Sequence, residues 1–192
     1  EDTVILESVR AIIALLVAKG ADVNYQRPQD GFSAIILAAK INYAGKAIME
    51  EILKGKGADV NARSTGESAG QTKGWTPLHY VCDRGPAETG ENLEVAKLLI
   101  AKGADVKALT LKEVDVMREL WTPLHVAAAR NTDRVDLAEL LVAKGAEINA
   151  LDPKKGTPLE AAMVTNNPKI CQFLLEKGAD YNIKNWESVS VL

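Results

Sequence analysis

Hydrophobic positions along the chain fall into short helical stripes separated by polar turns, and the pattern repeats from end to end. Its clearest unit opens Gly74-Trp75-Thr76-Pro77-Leu78-His79 and closes Leu98-Leu99-Ile100-Ala101-Lys102-Gly103. Thr76 offers a hydroxyl cap, Pro77 at the first helical position has a suitable φ and no N–H to leave unpaired, and Leu78 points inward. Val95, Leu98 and Leu99, spaced i, i+3 and i+4, mark the buried stripe of a second helix. Gly103 ends that helix, because the residue past a helix end commonly adopts the left-handed conformation that glycine takes without a Cβ penalty. One module is therefore helix, loop, helix, glycine stop.

The stop recurs as Gly20-Ala21-Asp22, Gly57-Ala58-Asp59, Gly103-Ala104-Asp105, Gly145-Ala146-Glu147 and Gly178-Ala179-Asp180. The start recurs as Thr122-Pro123-Leu124-His125 and Thr157-Pro158-Leu159-Glu160, and in weaker form as Ser33-Ala34-Ile35-Ile36, where Ser33 keeps a hydroxyl cap. Residues 1–19 predict a lone helix, capped by Asp2 or Thr3, with Ile5, Leu6, Val9, Ile12, Ile13 and Leu16 as its apolar face. It matches only the second helix of a module, so it reads either as an N-terminal cap or as a helix whose first-helix partner has been cut away. These residues resemble the ankyrin repeat family, whose period is about 33 residues and whose signature is Thr-Pro-Leu-His-x-Ala.

The resemblance implies an all-α ankyrin-repeat solenoid, a single domain of helix-turn-helix stacks with short β-hairpin fingers beside a concave groove. Repeats are placed at 30–63, 64–108, 109–150 and 151–183, with partial repeats at 1–29 and 184–192. Ser190-Val191-Leu192 falls where a further start would begin, so the chain reads as a segment of a longer protein. Asn24, Asn61, Asn149 and Asn182 hold one recurrent position, and Lys107 breaks that series.

Insertions localise the individuality of this chain. In the regular unit the stop glycine precedes the next start threonine by 12, as from Gly145 to Thr157, whereas Gly57 to Thr76 and Gly103 to Thr122 are both 19. Two adjacent fingers are thus enlarged. The first, Ser64 to Lys73, is small, polar and glycine-bearing, a composition that favours a mobile loop. In the second, Ala108 to Leu120, Leu109, Leu111, Val114 and Val116 alternate with Thr110 and Asp115. That predicts a long hairpin turning near Lys112-Glu113, with a short amphipathic helix using Leu111, Val114 and Met117 as the rival. Between the helices of the repeat at 64–108, Gly85-Pro86 and Gly90 break the chain and Asn92 is placed as the next helix cap.

Hydrophobic residues make up 47% of the 192, enough for burial, while a net charge of −3 argues against nucleic acid and against an anionic membrane surface. The longest apolar run, Ala11 to Ala18, falls well short of the roughly 18 residues of a membrane span. Glu1-Asp2 is acidic where a secretory leader would be basic. Cys82 and Cys171 lie two repeats apart and read as reduced core residues, which suits a cytoplasmic location.

His79 and His125 both sit at the fourth position of the signature, where the resemblance implies a structural role in hydrogen bonding to backbone. Phosphate-binding loops, zinc-protease helices, paired cysteines and nucleophile elbows are all missing from the sequence. The expectation is therefore no catalytic residue, no metal and no cofactor. What stands out is aromatic. Phe32, Trp75 and Trp121 occupy the position before each start, at the finger base, where they either form a groove-facing stripe or pack on neighbouring fingers. Lys40, Asp83, Arg84 and Arg130 would rim that stripe, with Glu113 at the tip of the second long finger. The reading is a non-catalytic monomeric module that binds a protein partner through groove and fingers. The alternative is a targeting or regulatory segment of a larger enzyme, channel or secreted bacterial effector.

Overall fold

Thr76, Thr122 and Thr157 stand immediately before three of the first helices, and glycines with positive φ follow the second helices. The computed structural model describes residues 2–40, 45–65, 73–84, 91–111, 120–130, 135–153 and 156–183. Among them are nine helices and no strand, divided between two compact units, 1–104 and 105–192.

In the first unit, α1 (Asp2–Ala18), α3 (Gly45–Ile52) and α5 (Glu91–Ala101) are second helices, while α2 (Ala34–Lys40) and α4 (Pro77–Asp83) are first helices. Like packs on like: α2 on α4, α1 on α3, and α3 on α5, with α2–α3 and α4–α5 paired within their repeats. Ile35, Ile36, Met49, Leu78 and Leu99 are fully buried in this stack. In the second unit, α6 (Pro123–Ala129) packs on α8 (Pro158–Val164), and each pairs with its own second helix, α7 (Asp136–Ala143) and α9 (Pro168–Glu176). Leu124, Leu141, Leu159, Ile170 and Leu174 form that core. Alanines 127, 128 and 162 are buried among them, and such small side chains allow close helix approach.

Most starts and stops fall where the pattern placed them, but α3 ends at Ile52, five residues before Gly57. Thr122 and Thr157 cap α6 and α8 by accepting the backbone N–H of His125 and Glu160. All five stop glycines have positive φ. Two caps differ from expectation. The Ser33 hydroxyl is buried and has no hydrogen-bond partner among the described residues, so it does not cap α2. Glu91, not Asn92, opens α5, which leaves Asn92 buried in the first turn.

Among the described residues the finger bases are closed by hydrogen-bonded pinches. Ser64 N–H donates to Trp75 O at 3.1 Å, and Thr110 N–H to Trp121 O at 3.0 Å. Both pinches span 11 residues. The regular finger closes over 4 between Asp152 and Gly156, so the inserted residues lie wholly inside the pinch. Residues 66–72 and 112–119, the tips of the two long fingers, lie outside the described residues, as do the hairpin and helix readings placed on the second.

A polar ladder ties each turn to the next. In the first unit Asn24 Nδ2 donates to Gly57 O at 2.7 Å and its Oδ1 accepts Asp59 N–H, while Asn61 Nδ2 donates to Gly103 O at 3.0 Å. In the second unit Asn149 Oδ1 accepts Asp180 N–H at 2.9 Å. Where Lys107 breaks the asparagine series, Glu147 replaces the usual aspartate, and the two form an ion pair at 2.8 Å.

The helix α1 is held to α3 partly by an ion pair from Arg10 to Glu51 at 3.0 Å. Its apolar face is largely uncovered, with Ile5, Val9, Ile12 and Leu16 exposed.

Gly31 sits at φ +69°, and a Cβ there would meet the Thr65 backbone nitrogen at 2.6 Å. Backbone strain and collision act together, so Gly31→Ala should lower stability by about 2 kcal/mol, measured as a shift in urea-unfolding midpoint at constant slope.

Candidate functional site

Each finger must deliver its chain to a helix start with every backbone donor satisfied. The residue before the start has its N–H captured by a side-chain oxygen in all four described junctions. Asp30 Oδ1 takes Phe32 N–H at 2.9 Å, Ser64 Oγ takes Trp75 N–H at 3.1 Å, Thr110 Oγ1 takes Trp121 N–H at 2.9 Å, and Asp152 Oδ1 takes Gly156 N–H at 2.7 Å. This set was not identified from the sequence. The signal was a short polar residue at one register position, Ser64, Thr110 and Asp152, which Asp30 replaces in the first finger.

The next donor goes to histidine. The Thr76 and Thr122 N–H groups both donate to the Nδ1 of His79 and His125 at 3.2 Å. Nδ1 therefore accepts and the ring proton sits on Nε2, which in His125 faces Gly156 O at 3.4 Å. Burial pushes the His125 imidazole from its ordinary 6.5 down to about 4, against the opposing pull of Gly156 O and Asp152. Both rings are buried, and the Nδ1 of each is consumed in shaping the turn.

The aromatic position splits between the two units. Phe32 and Trp75 are each 2% exposed, so neither presents a side-chain surface, contrary to a groove-facing stripe. Tyr80 lies edge-on to Phe32 at 5.6 Å and against Trp75 at 5.2 Å, cementing two repeats of the first unit. Lys40 is exposed with its Nζ 4.8 Å above the Phe32 ring, and Arg27 also lies over that ring at 5.5 Å. Trp121 differs. It is half-buried, stacks on His125 at 5.8 Å with 23° between planes, and donates its indole N–H to Asp152 Oδ2 at 3.2 Å. At the register of Tyr80 the second unit has Val126.

Of the expected rim, Asp83 and Arg130 are half-buried at the ends of α4 and α6. Arg84 is only 9% exposed, and its guanidinium meets no hydrogen-bond acceptor among the described residues. Desolvation lowers its pKa, opposed by Glu91. Glu113 lies outside the described residues. Cys82 is buried as expected, but Cys171 is half-buried, because its side of α9 faces a groove shared with Met163 and Leu175 rather than the core. Both are free thiols. Among the described residues no cluster of His, Cys, Asp and Glu has metal-binding geometry, and no helix is long and apolar enough to cross a membrane.

Exposed apolar side chains collect on the fingers of the second unit. Leu109 and Leu111 flank Thr110, which pins the Trp121 backbone, and Leu151 precedes Asp152, which holds the Trp121 indole. They are 43%, 42% and 50% exposed. Leu109 and Leu151 share one register position in consecutive fingers, a correspondence visible in the sequence once the pinches are aligned. Leu151 was not singled out there, and neither was the exposed Tyr25 of the first finger.

The family model describing ankyrin repeats, in three copies, matches residues 6–110 and 87–185. Comparison with curated proteins gives no match.

Trp75→Ala should cost about 3–5 kcal/mol of stability, as expected of a buried aromatic, and Trp121→Ala clearly less. Thermal and urea unfolding of the two variants compare them directly. For His125, the unfolded chain takes up a proton below pH 6.5 that the folded chain refuses until about pH 4. Its contribution is therefore full above pH 6.5 and falls as pH drops through that window, by about 3 kcal/mol in all. His125→Gln removes this component, so the stability gap between wild type and variant should narrow from pH 7 to pH 4.5.

Proposed function

Because the chain belongs to the ankyrin repeat family, whose members are typically non-catalytic mediators of protein–protein interaction, we propose that it is a protein-binding module whose recognition surface is the finger edge of the second unit. The anchor is Trp121. Large rigid aromatics dominate binding hot spots when they are fixed before the partner arrives, since less rotamer entropy is then lost. Trp121 is fixed by its hydrogen bond to Asp152 and its stack on His125, yet stays partly open to solvent. That combination carries the proposal. Leu109, Leu111 and Leu151 supply apolar surface attached to the same pinches, and the Lys107–Glu147 pair supplies polar groups on the same two fingers.

The first unit contributes differently. Phe32, Trp75 and Tyr80 are committed to the interior, so exposed groups at the same level, Lys40 above all, are what it offers a partner. Recognition proceeds by shape and desolvation, with no bond made or broken.

Affinity capture from native extract tests this, followed by titration of the captured protein. The Leu109→Asp, Leu151→Asp double variant should bind at least about tenfold more weakly, and Trp121→Ala comparably, with circular dichroism confirming that each is folded. Val164→Ala, an exposed apolar change on α8, should bind like wild type. Equal affinity of the finger variants and wild type would overturn the assignment.

A further inference from the structure

The finger bases of the first unit carry charge where those of the second carry leucine. Each pinch fixes a common register: Arg27 N–H donates to Phe32 O at 3.1 Å, as Ser64 does to Trp75 O and Thr110 to Trp121 O. The residue before the pinch is Gln26 or Arg63 in the first unit and Leu109 or Leu151 in the second. The pinch residue itself is short and buried at Ser64 and Thr110. At Arg27 it is long and exposed, because Asp30 has taken over the capture of the Phe32 N–H.

Freed from that task, the Arg27 guanidinium pairs with Asp30 through Nε and Nη2 and lies over the Phe32 ring. Lys40, at the end of α2, reaches the same ring, its Nζ 4.8 Å from the centroid, and makes no ion pair among the described residues. Two cations thus converge on one aromatic ring, whose quadrupole holds them there. On the adjoining finger Arg63 donates to Gly74 O at 3.0 Å, while its own carbonyl accepts the Gln26 amide at 3.0 Å. Among the described residues of these two finger bases every exposed charge is positive, Arg27, Arg63 and Lys73, and the one acid, Asp30, is 3% exposed.

We propose that this edge binds an acidic segment of the protein partner, an assignment that rests on the chain being a protein-binding module but not on the finger edge of the second unit. Glutamate or aspartate side chains seat against Arg27 and Lys40 above Phe32, and Arg63 continues the strip. A single exposed ion pair contributes little. Several cations acting on one segment contribute more, and those already held by a ring or a backbone carbonyl lose less freedom when the partner arrives.

The test is a fluorescein-labelled octaglutamate peptide titrated into the full chain by fluorescence anisotropy at low salt, with amide NMR locating the site. Saturable binding is expected, with shifts at the Arg27 Nε–H and the amides of residues 27–32, and it should weaken as salt is added. Lys40→Gln should weaken binding about threefold or more, and the Arg27→Gln, Lys40→Gln double variant about tenfold. Lys40 meets the ring without an ion pair, so the single variant stays informative if loss of the Arg27–Asp30 pair disturbs folding. Lys102→Gln, an exposed change elsewhere in the unit, should bind like wild type. So should the Leu109→Asp, Leu151→Asp variant, and because the probe needs no captured partner, the two surfaces stand or fall separately. Absence of saturable binding, equal binding by the Lys40→Gln and wild-type chains, or tighter binding of octathymidylate at the same residues, which would make a nucleic acid the partner, overturns the proposal.

Discussion

The junction between finger and first helix is the constraint on which the remainder of the fold depends. Helix starts concentrate backbone donors that have no partner inside the helix. Here the first helices are only seven residues long, far below the length at which a helix persists by itself. Their existence rests on packing and on caps. Nearby side chains settle them: at every described junction a finger oxygen takes the N–H before the start, and at two junctions histidine takes the N–H of the start itself. Proline removes the next donor. With the entry direction fixed in this way, α2 meets α4, and α6 meets α8, each in the same phase.

Much of this was legible because the relevant physics is local. Thr122-Pro123 and Gly103 announce a cap and a left-handed stop whatever surrounds them, and the helices begin and end there. The size and place of the finger insertions were legible for the same reason, and the 11-residue pinches contain them. What the sequence did not settle depends on neighbours far along the chain. Ser33 has the right hydroxyl, but at a start without proline or histidine that hydroxyl is buried and unpaired among the described residues. Phe32, Trp75 and Trp121 share one position, and the first two are covered by Tyr80, a neighbour that the position itself does not announce. The apolar stripe of α1 was read correctly as a stripe, yet nothing in that stripe says what lies against it.

The turn ladder shows one geometric requirement met by two chemistries. Asparagine can donate to a glycine carbonyl and accept an amide N–H in the next turn, and Asn24 does both. Lys107 has no acceptor and so cannot. The change is accompanied at the facing turn by glutamate in place of aspartate, whose extra methylene reaches the ammonium at 2.8 Å. An exposed ion pair of this kind is screened by salt in a way that the asparagine bonds are not. Cohesion between these two turns therefore responds to ionic strength where the asparagine-bonded turns do not.

The same pinches explain why variation can collect on the fingers without disturbing the stack. Closing a loop costs entropy that grows only slowly with its length, so once Ser64 meets Trp75 and Thr110 meets Trp121, added residues burden the fold little. The base becomes rigid and the tip becomes free to differ. A tryptophan at such a base belongs to both: its backbone serves the pinch, and its indole serves whatever packs on it. In the first unit Tyr80 claims the indole of Trp75. In the second, valine at that register leaves the Trp121 indole to Asp152 and to solvent. One backbone position thus holds a buried indole in one finger and a half-buried one in another, according to what packs on each.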